Sequence, residues 1–387
     1  MKRIIVFIFS LLTALLTVNG QVTVKPAGTE NNHQNGIYYA LPRTVLTIDV
    51  ELEKAAFYAG PLANYADDFL GKNDVKTIDE ETYRIPRISV STTLEPDPEQ
   101  FYFVDFNGEN LKEKEIFKMQ LGQMGMLTGF NIRDSLLSHP VKEMELINQE
   151  PEKKPSFDYQ AISHTKVVED TLIRQVFRDT ALVKEKILNQ LLVPKTNKEK
   201  AREAAEMIQK IIQDRYYLSI GYQETAYDEG TMRYMDKSLR ERKNEYLALF
   251  LGKTITSFSH YQFRFIPEDV TDNKKILFKF STHSGIRSAE STIGKPVVIV
   301  LYNAGTTKAI EPEVTQMNNS AKKKGIYYRI PAYAEVAIEY DGEKVLSDRM
   351  RINQFGVATY GPYARKMKFG LDEQTGGLHY IEVEIGD

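Results

Sequence analysis

The 387-residue chain contains no cysteine and no tryptophan. The missing cysteine excludes disulfides, thiol nucleophiles, thiolate zinc sites and iron–sulfur clusters. Histidine is scarce and dispersed: His33, His139, His164, His260, His283 and His379. None precedes glutamate, so the His-Glu-x-x-His zinc helix is missing, and no metal or cofactor site is assigned. No Gly-x-Ser-x-Gly elbow occurs, and no catalytic residue is assigned. Gly252-Lys253-Thr254 ends like a phosphate loop, but Leu247 stands where the upstream glycine is required, and the segment follows a helical pattern instead of preceding one. Charge is scattered, with a net of −3, so the chain lacks the basic footprint of a nucleic-acid binder. Beyond the N-terminus no apolar run is long enough to span a membrane.

What is present is ample apolar surface. Hydrophobic residues make up 42% of the chain, with Tyr 22 and Phe 19, enough for real cores. The first twenty residues read as a signal peptide. Met1-Lys2-Arg3 is basic, Ile4 to Leu16 is almost wholly apolar, and Val18-Asn19-Gly20 precedes a cut at Gln21. Removing Lys2 and Arg3 leaves 48 basic against 53 acidic residues. An exported chain without cysteine carries no lipid anchor and holds together by packing, which suits a bacterial envelope. The expected location is periplasmic or outer-membrane-associated, not as a lipoprotein and without a transmembrane span.

Residues 21–150 read as a mainly β domain. Leu46, Ile48, Val50 and Leu52 alternate with polar residues at the period of a strand with one buried face. Leu62 to Leu70 reads as a short helix stopped by Gly71. Ile88 to Leu94 and Phe101 to Phe106 read as separate strands, divided by Glu95-Pro96-Asp97-Pro98, and Asn107-Gly108 signals a turn. Pro140 to Pro155 reads as a linker. Val167 to Leu192 fits a strand pair turning near Arg178-Asp179-Thr180, although its Leu and Lys content also permits a helix.

Residues 151–253 form a middle region holding a helical hairpin at about 197–251. Thr196 and Glu199 make a capping box. Ala201, Ala204, Ala205, Ile208, Ile211 and Ile212 follow at helical spacing. Met232, Met235, Leu239, Tyr246, Leu249 and Phe250 mark a second helix stopped by Gly252. The short loop implies an antiparallel pair. Residues 254–387 return to β patterning, with Asp341-Gly342 as the strongest hairpin signal. The expected fold is α+β: two β-rich, sandwich- or barrel-like domains with the helical hairpin between them. Gly36-Ile37-Tyr38-Tyr39-Ala40-Leu41-Pro42 is echoed by Gly325-Ile326-Tyr327-Tyr328-Arg329-Ile330-Pro331, and Gly60-Pro61-Leu62-Ala63 by Gly361-Pro362-Tyr363-Ala364. Either the two β domains are distant copies or aromatic strand starts look alike by chance.

The candidate binding residues are Tyr216, Tyr217, Tyr222 and Tyr227, crowded where the two helices join, beside Glu224, Asp228 and Glu229. Exposed tyrosines among acids suit a protein or glycan partner, since the ring supplies area and the hydroxyl direction. Alternatively they pack the hairpin end onto a β domain. Carboxylate pairs (Asp67-Asp68, Glu80-Glu81, Glu95 with Asp97) read as acidic surface unless a pocket holds two of them together.

Several segments together resemble a known family. They are Tyr39-Ala40-Leu41-Pro42-Arg43-Thr44, Gly60-Pro61 with Tyr65-Ala66 and Leu70-Gly71, Glu95-Pro96-Asp97-Pro98, Ala204 to Ile208 through Arg215-Tyr216, Glu245 to Thr254, and Gln354-Phe355-Gly356. Their ordered set is similar to exported Bacteroidota proteins catalogued only as a domain of unknown function. The resemblance implies an envelope setting and supplies no activity or cofactor. The expected function is non-catalytic binding of an envelope protein or glycan. The alternatives are a carboxylate-dependent hydrolase of glycan or peptide and a structural subunit of an outer-membrane assembly. Oligomeric state stays open.

Overall fold

The computed structural model describes residues 23–28, 36–105, 118–130, 154–157, 162, 164–178, 181–222, 225, 227–268, 274–319, 325–361, 367–372 and 376–383. The signal segment, the Asn107-Gly108 turn and nearly all of the Pro140–Pro155 linker lie outside the described residues. The first half runs β1 (Thr23–Pro26), β2 (Gly36–Tyr58), a 3-10 turn at Ala63–Tyr65, α1 (Ala66–Leu70), β3 (Glu80–Asp105), β4 (Met119–Leu121), β5 (Leu127–Phe130), β6 (Thr165–Arg178) and β7 (Ala181–Pro194). The second half runs α2 (Asn197–Ile220), α3 (Glu229–Leu251), β8 (Lys253–Phe265), β9 (Lys274–Ser281), β10 (Gly285–Arg287), β11 (Lys295–Asn303), α4 (Glu311–Asn319), β12 (Ile326–Tyr340), β13 (Glu343–Gly361), β14 (Met367–Leu371) and β15 (Leu378–Val383). The fold is α+β, 56% strand, with several antiparallel sheets and the helices α2 and α3 in contact.

The chain divides into two compact units. One contains residues 1–52, 85–147 and 260–387; the other contains 53–84 and 148–259. In the first unit, β9 to β13 form a sheet in the order β10-β9-β11-β12-β13, and a second sheet runs β15-β14-β5-β4. A further sheet has the order β1-β3-β2-β8. Asp341 and Gly342 both have positive φ, 54° and 86°, the conformation a two-residue β-hairpin requires.

The expected break at Pro96 and Pro98 does not occur. β3 passes through both prolines without interruption. β1 pairs only with Tyr102 to Asp105 of β3, so its edge reaches neither proline. A proline without an N–H is tolerated where no neighbouring strand needs one.

The core of this unit joins both ends of the chain. Tyr39 and Leu41 of β2, Tyr102 and Val104 of β3, Phe130 of β5, Ile326 and Tyr327 of β12, and Phe369 of β14 form one buried cluster. Tyr102 stacks on Tyr39 at 5.6 Å and on Tyr327 at 4.2 Å between ring centroids. The Tyr39 hydroxyl accepts from the Tyr327 N–H at 2.9 Å and donates to the Tyr327 carbonyl at 3.3 Å. The two echoed segments therefore build a single core together. Their glycines differ in place: Gly60 follows β2, whereas Gly361 closes β13. Pro362 to Ala364 lie outside the described residues.

Several motif residues form a buried polar knot beside these rings. Gln354 acts as a strand partner made from a side chain: its Oε1 accepts from Thr44 N at 2.9 Å and its Nε2 donates to Thr44 O at 2.7 Å. The Asn353 N–H donates to the Thr44 hydroxyl at 3.0 Å. Arg329 donates to Pro42 O at 2.9 Å and to Asp97 Oδ2 at 3.0 Å. Gly356 is required by a close crossing, because a Cβ there would stand 1.9 Å from Ile330 O.

In the second unit, Ala201, Ala204, Ala205, Ile208 and Ile211 of α2 pack on Tyr246, Leu249 and Phe250 of α3, with Leu62 and Ala66 beside them. The capping box is formed as expected from Thr196 and Glu199. Gly71 ends α1 with φ 63°. Gly252 ends α3 with φ 79°, and a Cβ there would meet Tyr58 O at 2.4 Å. The strand-pair reading of Val167 to Leu192 also holds: β6 and β7 pair in register from Thr165–Pro194 to Arg178–Ala181.

Candidate partner-binding surface at the end of the helical pair

α2 and α3 have unequal cover along their length. The buried side chains of α2 run mainly from Ala201 to Ile211, and those of α3 from Tyr246 to Phe250. Toward the connection the helices lean on each other through charge. Arg215 Nε donates to Asp236 Oδ1 at 2.8 Å, and Arg240 binds the second oxygen at 2.7 Å. Arg215 first, then Arg240, hold the Asp236 carboxyl below its ordinary range. Asp228 caps α3 by accepting from Thr231 N at 3.0 Å and from its hydroxyl at 2.6 Å. These bonds, the hydroxyl's first, lower its pKa too. Both acids therefore remain charged beside the connection.

The four candidate tyrosines lie at this end. Tyr216 and Tyr217 occupy the last turns of α2. Tyr222 follows the left-handed cap Gly221, and Tyr227 precedes the Asp228 cap. Tyr217 is half-buried, and Gln213 Nε2 donates to its hydroxyl at 2.8 Å. Its ring lies 6.0 Å from Tyr216 and 5.5 Å from Tyr222. Tyr216, Tyr222 and Tyr227 are exposed, Tyr222 to 74%. The described contacts bring the first three rings together and leave Tyr227 separate.

Sequence reasoning missed three exposed large side chains on the two helices. Ile212, expected in the buried stripe, is exposed, as is Ile220. With Tyr216 they stand at i, i+4 and i+8, one continuous apolar row on the solvent side of α2. Tyr234 on α3 is 73% exposed. The signal was available in the spacing: Ile212, Tyr216 and Ile220 lie about 100° from the Ala204–Ile208–Ile211 face on a helical projection.

The carboxylate pairs are held by cations. Asp68 meets Lys198 at 3.4 Å, Glu80 meets Lys76 at 2.5 Å, and Glu81 meets Lys54 at 3.0 Å. Glu95 contacts Arg43 at 3.6 Å and also Arg264. Asp97, the most buried, is bound by Arg329. Glu339 and Asp341 share an open groove with Ile276, Pro296 and Val298. Lys274 holds Glu339 at 3.0 Å, and Lys295 holds Asp341. Among the described residues, no group of three or more His, Asp or Glu side chains is arranged to hold a metal ion. No described helix is long and apolar enough to cross a membrane.

The chain is thus an α+β protein of several antiparallel sheets and a helical pair, with exposed aromatics at one helix end. The chain belongs to the family described as "Domain of unknown function (DUF4831)", whose model matches residues 35–378. No curated protein and no solved structure matches it.

Proposed function

We propose that the chain is an exported, non-catalytic protein of a bacterial envelope that binds a protein partner through the end of its helical pair. The observation that carries this reading is the exposed row Ile212–Tyr216–Ile220, with Tyr222 just beyond the Gly221 cap. Exposed large apolar side chains that are contiguous mark interaction sites, whereas single ones are ordinary. Aliphatic residues within the row favour a protein over a glycan, because a sugar face stacks on rings and gains little from isoleucine. The basic start and apolar run of residues 1–16 support export. The likeness to Bacteroidota proteins supports the envelope setting.

The test is a photo-crosslinking residue placed at Ile212 or Ile220 in cells producing native amounts, with exposed Glu206 as the control position. A discrete protein adduct at the first two positions and not at the third is expected. Substituting Tyr216 and Tyr222 by alanine should remove the adduct, since aromatic anchors dominate interface energies. A polymeric smear would reassign the partner as a glycan. No adduct at either position refutes the reading.

A further inference from the structure

The first unit carries a cleft that the proposed function leaves unused. α4 is tied to β13 by two bonds: Asn318 Nδ2 donates to Ala358 O at 2.9 Å, and the Tyr360 hydroxyl donates to Met317 O at 3.3 Å. Residues of α4, β12, β13, β14 and β15 line a cleft of about 340 Å³. Tyr328 pairs with Thr359 across β12 and β13, so both side chains stand on the sheet face that lines it. The aliphatic walls are open to water, with Met317 42%, Leu378 41% and Ile381 51% exposed. Thr359 is 4% exposed and Tyr328 half-buried. Among the described residues neither hydroxyl has a hydrogen-bond partner.

We propose that this cleft binds an uncharged single-chain lipid, an aliphatic chain of about ten carbons ending in a hydroxyl, amide or ester. Size sets the length. At about 30 Å³ for each water-sized group, 340 Å³ takes about eleven non-hydrogen atoms. That is too little for a partner's helix, about 10–12 Å across. The walls select a chain, because covering Met317, Leu378 and Ile381 removes apolar surface from water.

The polar groups select the end of that chain. A ligand of hydrocarbon alone strips water from the Thr359 hydroxyl and leaves it unpaired, which is unfavourable. A ligand carrying one acceptor or hydroxyl pairs with it instead. Tyr328 offers a second donor beside it, kept protonated because burial pushes its hydroxyl up. Charge then rejects the anionic lipids. Glu313 is the one charged side chain among the described residues that line the cleft. It is exposed, and no described cation pairs with it. A fatty carboxylate brought into the cleft meets this like charge, whereas an alcohol, amide or ester does not.

The test titrates the purified chain with decanol and with decanoate by calorimetry, at mildly alkaline pH and below the solubility limit of each. Decanol should bind saturably, one per chain, and decanoate more weakly. T359V keeps the side-chain volume and removes the hydroxyl, so it should weaken decanol by on the order of two- to tenfold. Its Tm should not fall, since no described group binds that hydroxyl. E313Q should leave decanol unchanged and tighten decanoate by up to about fivefold. I381E sets a charge in the apolar wall and should weaken decanol by about tenfold or more. Circular dichroism on each variant checks that it folds. Absence of saturable binding overturns the proposal, as does decanol binding indifferent to both T359V and I381E. Self-association that I381E abolishes, with no decanol bound, also overturns it and gives the cleft to a second copy. The hairpin-end surface takes no part in these titrations, so a failure here leaves that reading standing.

Discussion

Replacing Asp97 by alanine tests the buried knot most directly. The Arg329 side chain is 8% exposed and that of Asp97 13%, with Nη2 and Oδ2 3.0 Å apart. Arg329 also reaches Pro42 O, and Asp97 Oδ1 accepts from the Glu99 N–H at 3.1 Å. Deleting Asp97 leaves a guanidinium in low dielectric with one carbonyl for company. Removing one partner of a buried pair costs about 3–5 kcal/mol, because the remaining charge is uncompensated. For a unit of this size each kcal/mol is roughly 2–4 °C in Tm, so the expected loss is about 6–20 °C. The assay follows near-ultraviolet circular dichroism on heating. With no tryptophan, that signal comes from tyrosine and phenylalanine, including the Tyr39–Tyr102–Tyr327 stack. The variant D97A/R329M carries the second half of the argument. It removes both charges together, so it should be less destabilised than the two single losses added, by about 1–3 kcal/mol. A D97A shift of less than about 2 °C, or strict additivity, refutes the view that this pair is desolvated and coupled.

Two further outcomes concern titration. The Glu199 carboxyl is held down to about 2 by Lys166 first, then by the Thr196 N–H and hydroxyl. Its folded value lies below the ordinary 4.5, so its contribution is complete above that pH and is lost as pH falls toward about 2. Denaturant midpoints measured down that range should fall less steeply in E199Q, and an unchanged slope would count against the assignment. Burial pushes the Tyr102 hydroxyl up to about 12, and the Tyr39 hydroxyl well above 10. Both prefer to stay protonated in the fold, so stability present below pH 10 is lost as pH rises through the folded values. Ultraviolet titration of intact protein should show a late-ionising tyrosine class. Y39F should keep the ring stack yet cost about 1–3 kcal/mol through the orphaned Tyr327 N–H, and no loss would refute that bond's importance.

Local chemistry was readable in the chain before any coordinates. The Thr196/Glu199 box, the Gly71 and Gly252 stops and the Asp341-Gly342 turn each depend on residues within a few positions of one another. The hairpin of β6 and β7 was readable for the same reason. Longer reach defeated pattern reading. Nothing near Pro96 reveals that β1 stops short of it. Nothing near Met119 reveals that β4 and β5 share a sheet with β14 and β15, near the end of the sequence. The candidate tyrosines were found by crowding alone. Ile212 was misassigned because an apolar residue at helical spacing defaults to the core, whereas it lies off the face of α2 that carries the core.

The bond between Tyr39 and Tyr327 joins residues 288 apart, and Thr44 closes on Gln354 over 310. During synthesis at about 5–20 residues per second, that first interval lasts roughly 15–60 s. Until it ends, Tyr39 and Thr44 of β2 lack their partners on β12 and β13, and the unit cannot close from its beginning. Such wide separation slows folding and leaves strand surface open to misassociation. The knot that locks the finished unit therefore also makes its assembly wait for nearly the whole chain.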